Sequence, residues 1–206
     1  MGSRLIPLLL RRGHQVKALV REDSEKKLPD GVTRVTGGAL KRGSYTEQVR
    51  GSDTFVHLIG VPHPSPAKAK EFREIDLVSV QVALNAARDA VIRHFVYLSV
   101  AHPAPVMHAF IEVRSECEAM IRASGMPATF LRPWYVLGPG HRWPYALIPF
   151  YWLLERLPAS KQSAHRLGLI RLSQMVNALA WAVENPADSV RILDVPKMRN
   201  LSWDTR

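Results

Sequence analysis

The residues able to do chemistry in this sequence are few, and they sit where apolar runs end. Ser99 offers the only hydroxyl at the end of His94-Phe95-Val96-Tyr97-Leu98-Ser99-Val100. Gly60 ends Thr54-Phe55-Val56-His57-Leu58-Ile59-Gly60, where a side chain would crowd anything bound at the carboxyl edge of a parallel sheet. Arg21 ends Gln15-Val16-Lys17-Ala18-Leu19-Val20-Arg21, with Glu22 and Asp23 directly after it. Arg114 follows Phe110 by four residues. Its guanidinium can bind phosphate or hydroxyl oxygens, but it cannot deprotonate usefully near neutral pH. Phe110 has no hydroxyl and cannot be a general acid or base. His57 reads as a core histidine with a backbone partner. His63, His102, His108 and His141 are too scattered for a zinc site, and the single cysteine, Cys117, supports neither a metal cluster nor a disulfide framework.

The elements that must position these residues alternate. Leu5, Leu8 and Leu9 share one face of a helix that Gly13 closes in a left-handed turn. The run Gln15 to Arg21 follows as a buried parallel strand. Val32 to Thr36 is a short strand that ends at Gly37-Gly38-Ala39-Leu40, and Tyr45 to Arg50 a short helix. Thr54 to Gly60 is a buried strand, and Val61 to Pro66 carries three prolines, which suits a loop over the site. Phe72 to Arg88 reads as one long helix with Ile75, Val78, Val82 and Ala86 inward. His94 to Val100 is a strand, Phe110 onward a helix, and Thr129 to Arg132 a strand broken by Pro133 and turned by Gly138-Pro139-Gly140. Leu167 to Ile170 is a short strand, Ser173 caps a helix bearing Met175, Val176, Leu179, Ala180 and Val183, and Val190 to Val195 is a last strand. The tail from Pro196 to Arg206 reads as polar and loosely held. A helix, a glycine turn and a strand make the second half of a strand–helix–strand nucleotide unit. Its first half, a strand and a glycine-rich turn, is expected to precede residue 1.

Composition bounds the rest. The 206 residues are 47% hydrophobic, enough for one substantial core. No apolar run reaches the roughly 18 residues that read as a membrane span, and no convincing signal peptide is present. A net charge of +10 raises the question of nucleic acid, but the basic residues are scattered and no nucleic-acid motif accompanies them. The expected setting is the cytoplasm. Residues 141–157 crowd Trp143, Tyr145, Phe150, Tyr151 and Trp152 into a stretch followed by Arg156, Lys161, Arg166 and Arg171. This reads either as a lid helix packed on the core or as an interfacial segment at a membrane surface or partner subunit.

Three stretches resemble one family. Met1-Gly2 and the helix after it resemble the end of the glycine fingerprint T-G-A-T-G-F-[IVM]-G. Val56-His57-Leu58-Ile59-Gly60 resembles V-x-H-L-A-G, and Leu131-Arg132-Pro133-Trp134-Tyr135-Val136-Leu137-Gly138-Pro139-Gly140 resembles L-R-P-x-x-V-x-G-P-G. The family is the extended and atypical short-chain dehydrogenase/reductases, NAD(P)-binding proteins that include NmrA-like proteins and sugar-nucleotide epimerases. The resemblance covers residues 1–140 well and the rest loosely.

The resemblance implies an α/β fold: a Rossmann-like, doubly wound parallel sheet lacking its first, central strand and most of the glycine-rich loop. Residues 1–140 would form the NAD(P)-binding domain, and residues 141–206 a small C-terminal substrate or docking lobe. It implies dinucleotide contacts from Gly2, Leu40, Gly60, Arg114 and Pro133, with Ser99 either a catalytic hydroxyl or a strand-end hydrogen bonder. Arg21 at the second strand's end favours NADP over NAD in the full-length form, because an arginine there accommodates the 2′-phosphate. The family's catalytic Tyr-x-x-x-Lys falls on Phe110 and Arg114, so its standard proton transfer is not expected. A redox sensor or an altered oxidoreductase, acting on an unknown small molecule such as a lipophilic one, is the leading expectation. A non-catalytic module docking on a membrane complex through residues 143–171 is the alternative. Arg132 is expected either to pair with a helix carboxylate or to bind ligand.

Overall fold

The computed structural model describes residues 1–20, 28–104, 106–138 and 167–201. Helix α1 (Gly2–Arg11) is closed by Gly13 at φ 80°, the left-handed turn that favours glycine. It leads into β1 (Val16–Leu19), which pairs in parallel with β2 (Val32–Val35). After a one-turn helix α2 (Thr46–Val49) comes β3 (Thr54–His57). The chain then turns through Pro66–Lys68 and Ala69–Glu71, widens at Phe72–Leu77, and settles into α3 (Val78–Asp89). Strand β4 (His94–Leu98), helix α4 (His108–Ala123) and strand β5 (Ala128–Arg132) follow. Strands β6 (Tyr135–Leu137) and β7 (Leu169–Arg171) pair with each other. Helix α5 (Leu172–Glu184), strand β8 (Val190–Asp194) and helix α6 (Val195–Asn200) complete the described chain.

The main sheet has the order β3-β4-β5-β8, all parallel, and β1-β2 forms a separate parallel pair. Both faces of the main sheet are covered, as parallel strands require. Side chains alternate across it with period two. Phe95, Tyr97 and Phe130 enter a core with Val35, Tyr45, Phe72, Ala83 and Ile121, under α2, α3 and α4. Val96 and Leu131 enter the opposite core with Leu5, Leu9, Met175 and Leu179, under α1 and α5. The chain beyond residue 140 returns to the sheet, because β8 pairs with β5 from Ala128↔Val190 to Arg132↔Asp194.

Four local expectations are corrected. The long helix expected over Phe72 to Arg88 is not regular: its first part is a wide π-type turn that carries Asp76 inward, to 0% exposure. The cap of α5 is Arg171 rather than Ser173, since the Gln174 side chain accepts from the Arg171 N–H at 3.0 Å. The tail is ordered as α6 through Asn200, capped where Asp194 Oδ1 accepts from the Lys197 N–H at 3.0 Å and anchored by buried Met198. Strand β1 is only partly buried: Lys17 is exposed, and Val16 and Leu19 are half-buried.

Candidate functional site

Gly2, Gly60, Ser99, Pro133 and the side chain of Arg114 lie at the carboxyl ends of β3, β4 and β5 or at the start of α1. Helix α1 opens with Met1 as its cap, with no side-chain capping bond and no acidic residue in its first turn. The backbone N–H groups of Arg4 and Leu5 bond to the Met1 carbonyl, at 3.0 and 3.2 Å. A Cβ added at Gly2 would lie 3.9 Å from Leu58 Cδ1, an ordinary contact. The helix therefore starts beside the end of β3, its partial positive end unopposed by local acid, which suits a phosphate group.

Next to it lies a buried ion pair. Arg114, on α4 and 7% exposed, sends one guanidinium nitrogen to Asp76 Oδ1 at 2.5 Å. Its other terminal nitrogen donates to the Leu98 carbonyl at 2.8 Å and to the Tyr97 hydroxyl at 3.3 Å. Asp76 Oδ2 accepts from the Val61 N–H at 2.9 Å, which fixes the chain after Gly60. Burial opposes the charge on Arg114, but Tyr97 and Asp76 beside it hold its pKa above the ordinary value. Burial pushes the Tyr97 hydroxyl well above its usual range, so it is neutral. Gly60 faces this pair rather than open space. A Cβ there would collide with the Arg114 guanidinium and lie 3.0 Å from Asp76 Oδ1. The expected reason for this glycine, room for a ligand, is thus corrected: the space is filled by the chain's own arginine.

Phe110 stands half-buried one turn before Arg114, its ring 5.0 Å from that of Phe72 and 5.1 Å from the Arg114 guanidinium carbon. Glu112 faces solvent and pairs with Arg73 at 3.2 Å.

Ser99 belongs to a second network. It is 5% exposed and its hydroxyl donates to Glu118 Oε1 at 2.6 Å. Arg132 clasps the same carboxylate, with Nε 2.9 Å from Oε1 and a terminal nitrogen on Oε2. His102 Nε2 stands 3.5 Å from Oε1. Burial alone would raise the Glu118 pKa, but hydrogen bonds from His102, Arg132 and Ser99 and the Arg132 charge bring it down to about 2. Arg132 takes the first of its two expected roles, pairing with a helix carboxylate. Pro133 is buried, and its carbonyl accepts from the Ala101 N–H at 2.8 Å, joining the segments after β4 and β5.

Leu40 lies apart, in the turn after β2, where its side chain is 47% exposed. The Lys41 N–H bonds to the Gly38 carbonyl at 2.9 Å, and Ser44 Oγ stitches the loop to Gly38 and Lys41. Arg21 and residues 143–166 of the aromatic and basic segment lie outside the described residues. His57 is buried, the core position expected of it. It packs against the rings of Phe95 and Tyr97, and burial, with the nearby Arg114 charge, lowers its pKa to about 3. Asp76 is the site residue that sequence reasoning passed over; the available signal was one carboxylate inside Ile75-Asp76-Leu77. A separate cavity of about 440 Å³ lies between α1 and α5, lined by Arg4, Leu8, Arg11, Leu137, Arg171 and Val176 among others. It shares none of the residues expected to hold a dinucleotide. No helix among the described residues is long and apolar enough to cross a membrane.

The sequence matches the NAD(P)H-binding family over residues 1–142. It is 27% identical over 101 residues to sterol demethylase protein B of Methylococcus capsulatus, a match covering 48% of this chain and 31% of that protein. The chain thus spans about a third of the length of that curated relative. The fold resembles the Bordetella bronchiseptica enzyme WbmH in complex with NAD+, with a TM-score of 0.67 and 17% identity over 94% of this chain and 71% of that one. It also resembles the UDP-N-acetylglucosamine 4-epimerase from Bacillus cereus, with a TM-score of 0.66 and 16% identity over 94% and 74%. The Thermus thermophilus UDP-glucose 4-epimerase complex with NAD gives 0.64 and 14% over 94% and 74%. With the family match running from α1 through β6, and a parallel sheet like those of NAD-dependent epimerases, the chain belongs to the NAD(P)H-binding family and has the Rossmann-like fold of the extended short-chain dehydrogenase/reductases.

Proposed function

We propose that this protein binds NAD(P)(H) without Tyr–Lys proton transfer and acts as a redox sensor or an altered oxidoreductase. The observation that carries this reading is the state of the Phe110–Arg114 pair. Phe110 offers no proton, and Arg114 is turned into a buried pair with Asp76, bonded also to the Leu98 carbonyl. A guanidinium held this way braces the floor of the site and keeps its charge, whereas a lysine would have one nitrogen free to rotate.

Several features fit a dinucleotide. The unopposed start of α1 suits the pyrophosphate, and exposed Leu40 suits an apolar contact with the adenine. The segment at Pro133 would pass the nicotinamide, and Gly60 and Arg114 would shape the wall between them. The cofactor would supply hydride chemistry, while the chain's own groups bind and orient it. Ser99, bonded to Glu118, is the remaining candidate hydroxyl for catalysis. In this reading Arg21 favours NADP through the 2′-phosphate.

Calorimetric titration with NADPH and NADH tests the proposal, using this 206-residue chain and a version extended upstream in frame. Binding by either, with NADPH the tighter ligand, is expected. A folded extended chain that binds neither would end the cofactor reading.

A further inference from the structure

The cavity between α1 and α5 joins an apolar floor to a rim of one charge. Arg4, Leu8 and Arg11 line it from α1 at positions i, i+4 and i+7, so all three share one face of the helix. Leu172 and Val176 line it from α5, one turn apart, and Leu137 from the end of β6. Leu137 and Val176 are buried, while Leu8 and Leu172 are half-buried and form the accessible part of the floor. A Cβ added at Gly138 would lie 3.1 Å from Leu172 Cβ, so the end of β6 closes directly on α5. The rim carries Arg4, Arg11 and Arg171, all exposed, and no carboxylate lines the cavity. None of the three pairs with Asp or Glu among the described residues, whereas Arg12, on the adjoining face of α1, is held by Glu184 at 2.7 Å. The side chains of Ser173 and Asn177 add neutral hydrogen-bonding groups from α5. The volume of about 440 Å³ falls in the range of small-molecule sites, about 300–1,000 Å³.

We propose that this cavity binds a small amphiphilic phosphate monoester, its head among Arg4, Arg11 and Arg171 and its apolar chain along Leu8, Leu172 and Val176. The head follows from the charge of the rim. Three guanidiniums with no counter-charge repel one another, and one carboxylate would leave two of them uncompensated. A phosphate monoester brings a charge of about −1.5 to −2 at neutral pH and three acceptor oxygens, and the guanidinium fork pairs with phosphate in a bidentate way. The chain follows from the floor. Inorganic phosphate would leave Leu8 and Leu172 facing water, whereas an alkyl chain removes that surface from it. The cavity shares no residue with the expected dinucleotide site, so the inference stands or falls apart from cofactor binding.

Titration calorimetry of the 206-residue chain with decyl phosphate, kept below its micelle concentration, tests the proposal, with inorganic phosphate and decanol as comparisons. Decyl phosphate is expected to bind about tenfold or more tightly than either. The Arg4→Gln, Arg11→Gln double variant should bind it about a hundredfold more weakly, about tenfold for each charged hydrogen-bond donor lost. Its thermal midpoint should match that of the parent chain, since both side chains are exposed. In the unsubstituted chain, amide NMR shifts on adding decyl phosphate should centre on Leu8, Leu172 and Asn177. No binding of decyl phosphate, unchanged affinity in the variant, or shifts centred elsewhere would overturn the proposal. So would inorganic phosphate binding as tightly, which would mean a simple anion spot. Binding only to vesicles of phosphatidylcholine and phosphatidate would also overturn it, because the arginines would then serve a membrane surface rather than a cavity.

Discussion

At the scale of single residues, the buried pair Arg114–Asp76 and the glycine pressed against it form the most constrained spot in the site. Gly60→Ala puts a methyl group onto the guanidinium, which is buried and held by Asp76, Leu98 and Tyr97. The expected loss is about 1–3 kcal/mol, as for other overpacked cores, read as a lowered urea midpoint with unchanged slope. Asp76→Ala leaves a guanidinium buried without its partner and frees the Val61 N–H. That loss is expected to be larger, about 3–5 kcal/mol. If Asp76→Ala cost no more than a surface substitution, the pair would not be holding the loop.

Titration at this scale has a definite sign. His57 and His94 are buried with pKa values lowered from 6.5 to about 3 and about 4, in both cases chiefly by burial. Below pH 6.5 the unfolded chain takes up protons that these folded residues refuse, so stability falls as the pH drops from 6.5 towards 3. Glu118, lowered from 4.5 to about 2, adds stability that is present above pH 4.5 and lost as the pH falls through 2. Urea midpoints measured at pH 7.5, 5.5 and 4.5 should therefore decline steadily. His57→Leu should flatten that decline, since it removes one of these two buried imidazoles. An unchanged slope in the variant would show that the neutral state of His57 does not govern the acid limb.

At the scale of elements, α4 works as a bracket. Its Arg114 reaches back to β4 and the widened turn before α3, and its Glu118 reaches Ser99 after β4 and Arg132 at the end of β5. The two side chains are four residues apart and share a helix face, so one helix fixes the ends of β4 and β5 and, through Asp76, the chain after β3. Arg114→Lys keeps the charge but cannot reach Asp76, Leu98 and Tyr97 together, because one ammonium replaces a planar fork. It should lower the thermal midpoint, and it should not create dehydrogenase activity. Phe110→Tyr is expected to fold, since the ring already stands half-buried against Phe72. Appearance of hydride transfer in the Phe110→Tyr, Arg114→Lys double variant would show that only the missing hydroxyl and lysine separate this site from a working dehydrogenase.

At the scale of the whole molecule, two cores clamp one parallel sheet, and α1 and α5 close the face opposite to α3 and α4. A ligand that binds only the folded state raises its stability by mass action, about 2.7 kcal/mol at a hundredfold excess over Kd. If NADPH binds across the strand ends, the thermal midpoint should rise with its concentration, and more steeply than with NADH. No shift with either nucleotide in a folded chain would argue for a structural role instead.

The amino-acid sequence by itself determined the succession of helices and parallel strands, since period-two and period-3.6 apolar patterns and glycine stops are local properties. Gly13 in its left-handed turn, β2 at Val32–Val35 and β4 at His94–Leu98 followed from that reading. It also determined that Phe110 lacks a proton to give, because that is a property of the residue type. Only the tertiary structure decided where Arg114 points. Its partners Asp76 and Leu98 are 38 and 16 residues away, and no local pattern brings them together. The same holds for Gly60, whose small size answers to an arginine 54 positions later in the chain. The separation of the β1-β2 pair from the main sheet likewise emerges only when the strands are laid side by side, because hydrogen bonding between strands is a relation across the fold rather than a property of either run.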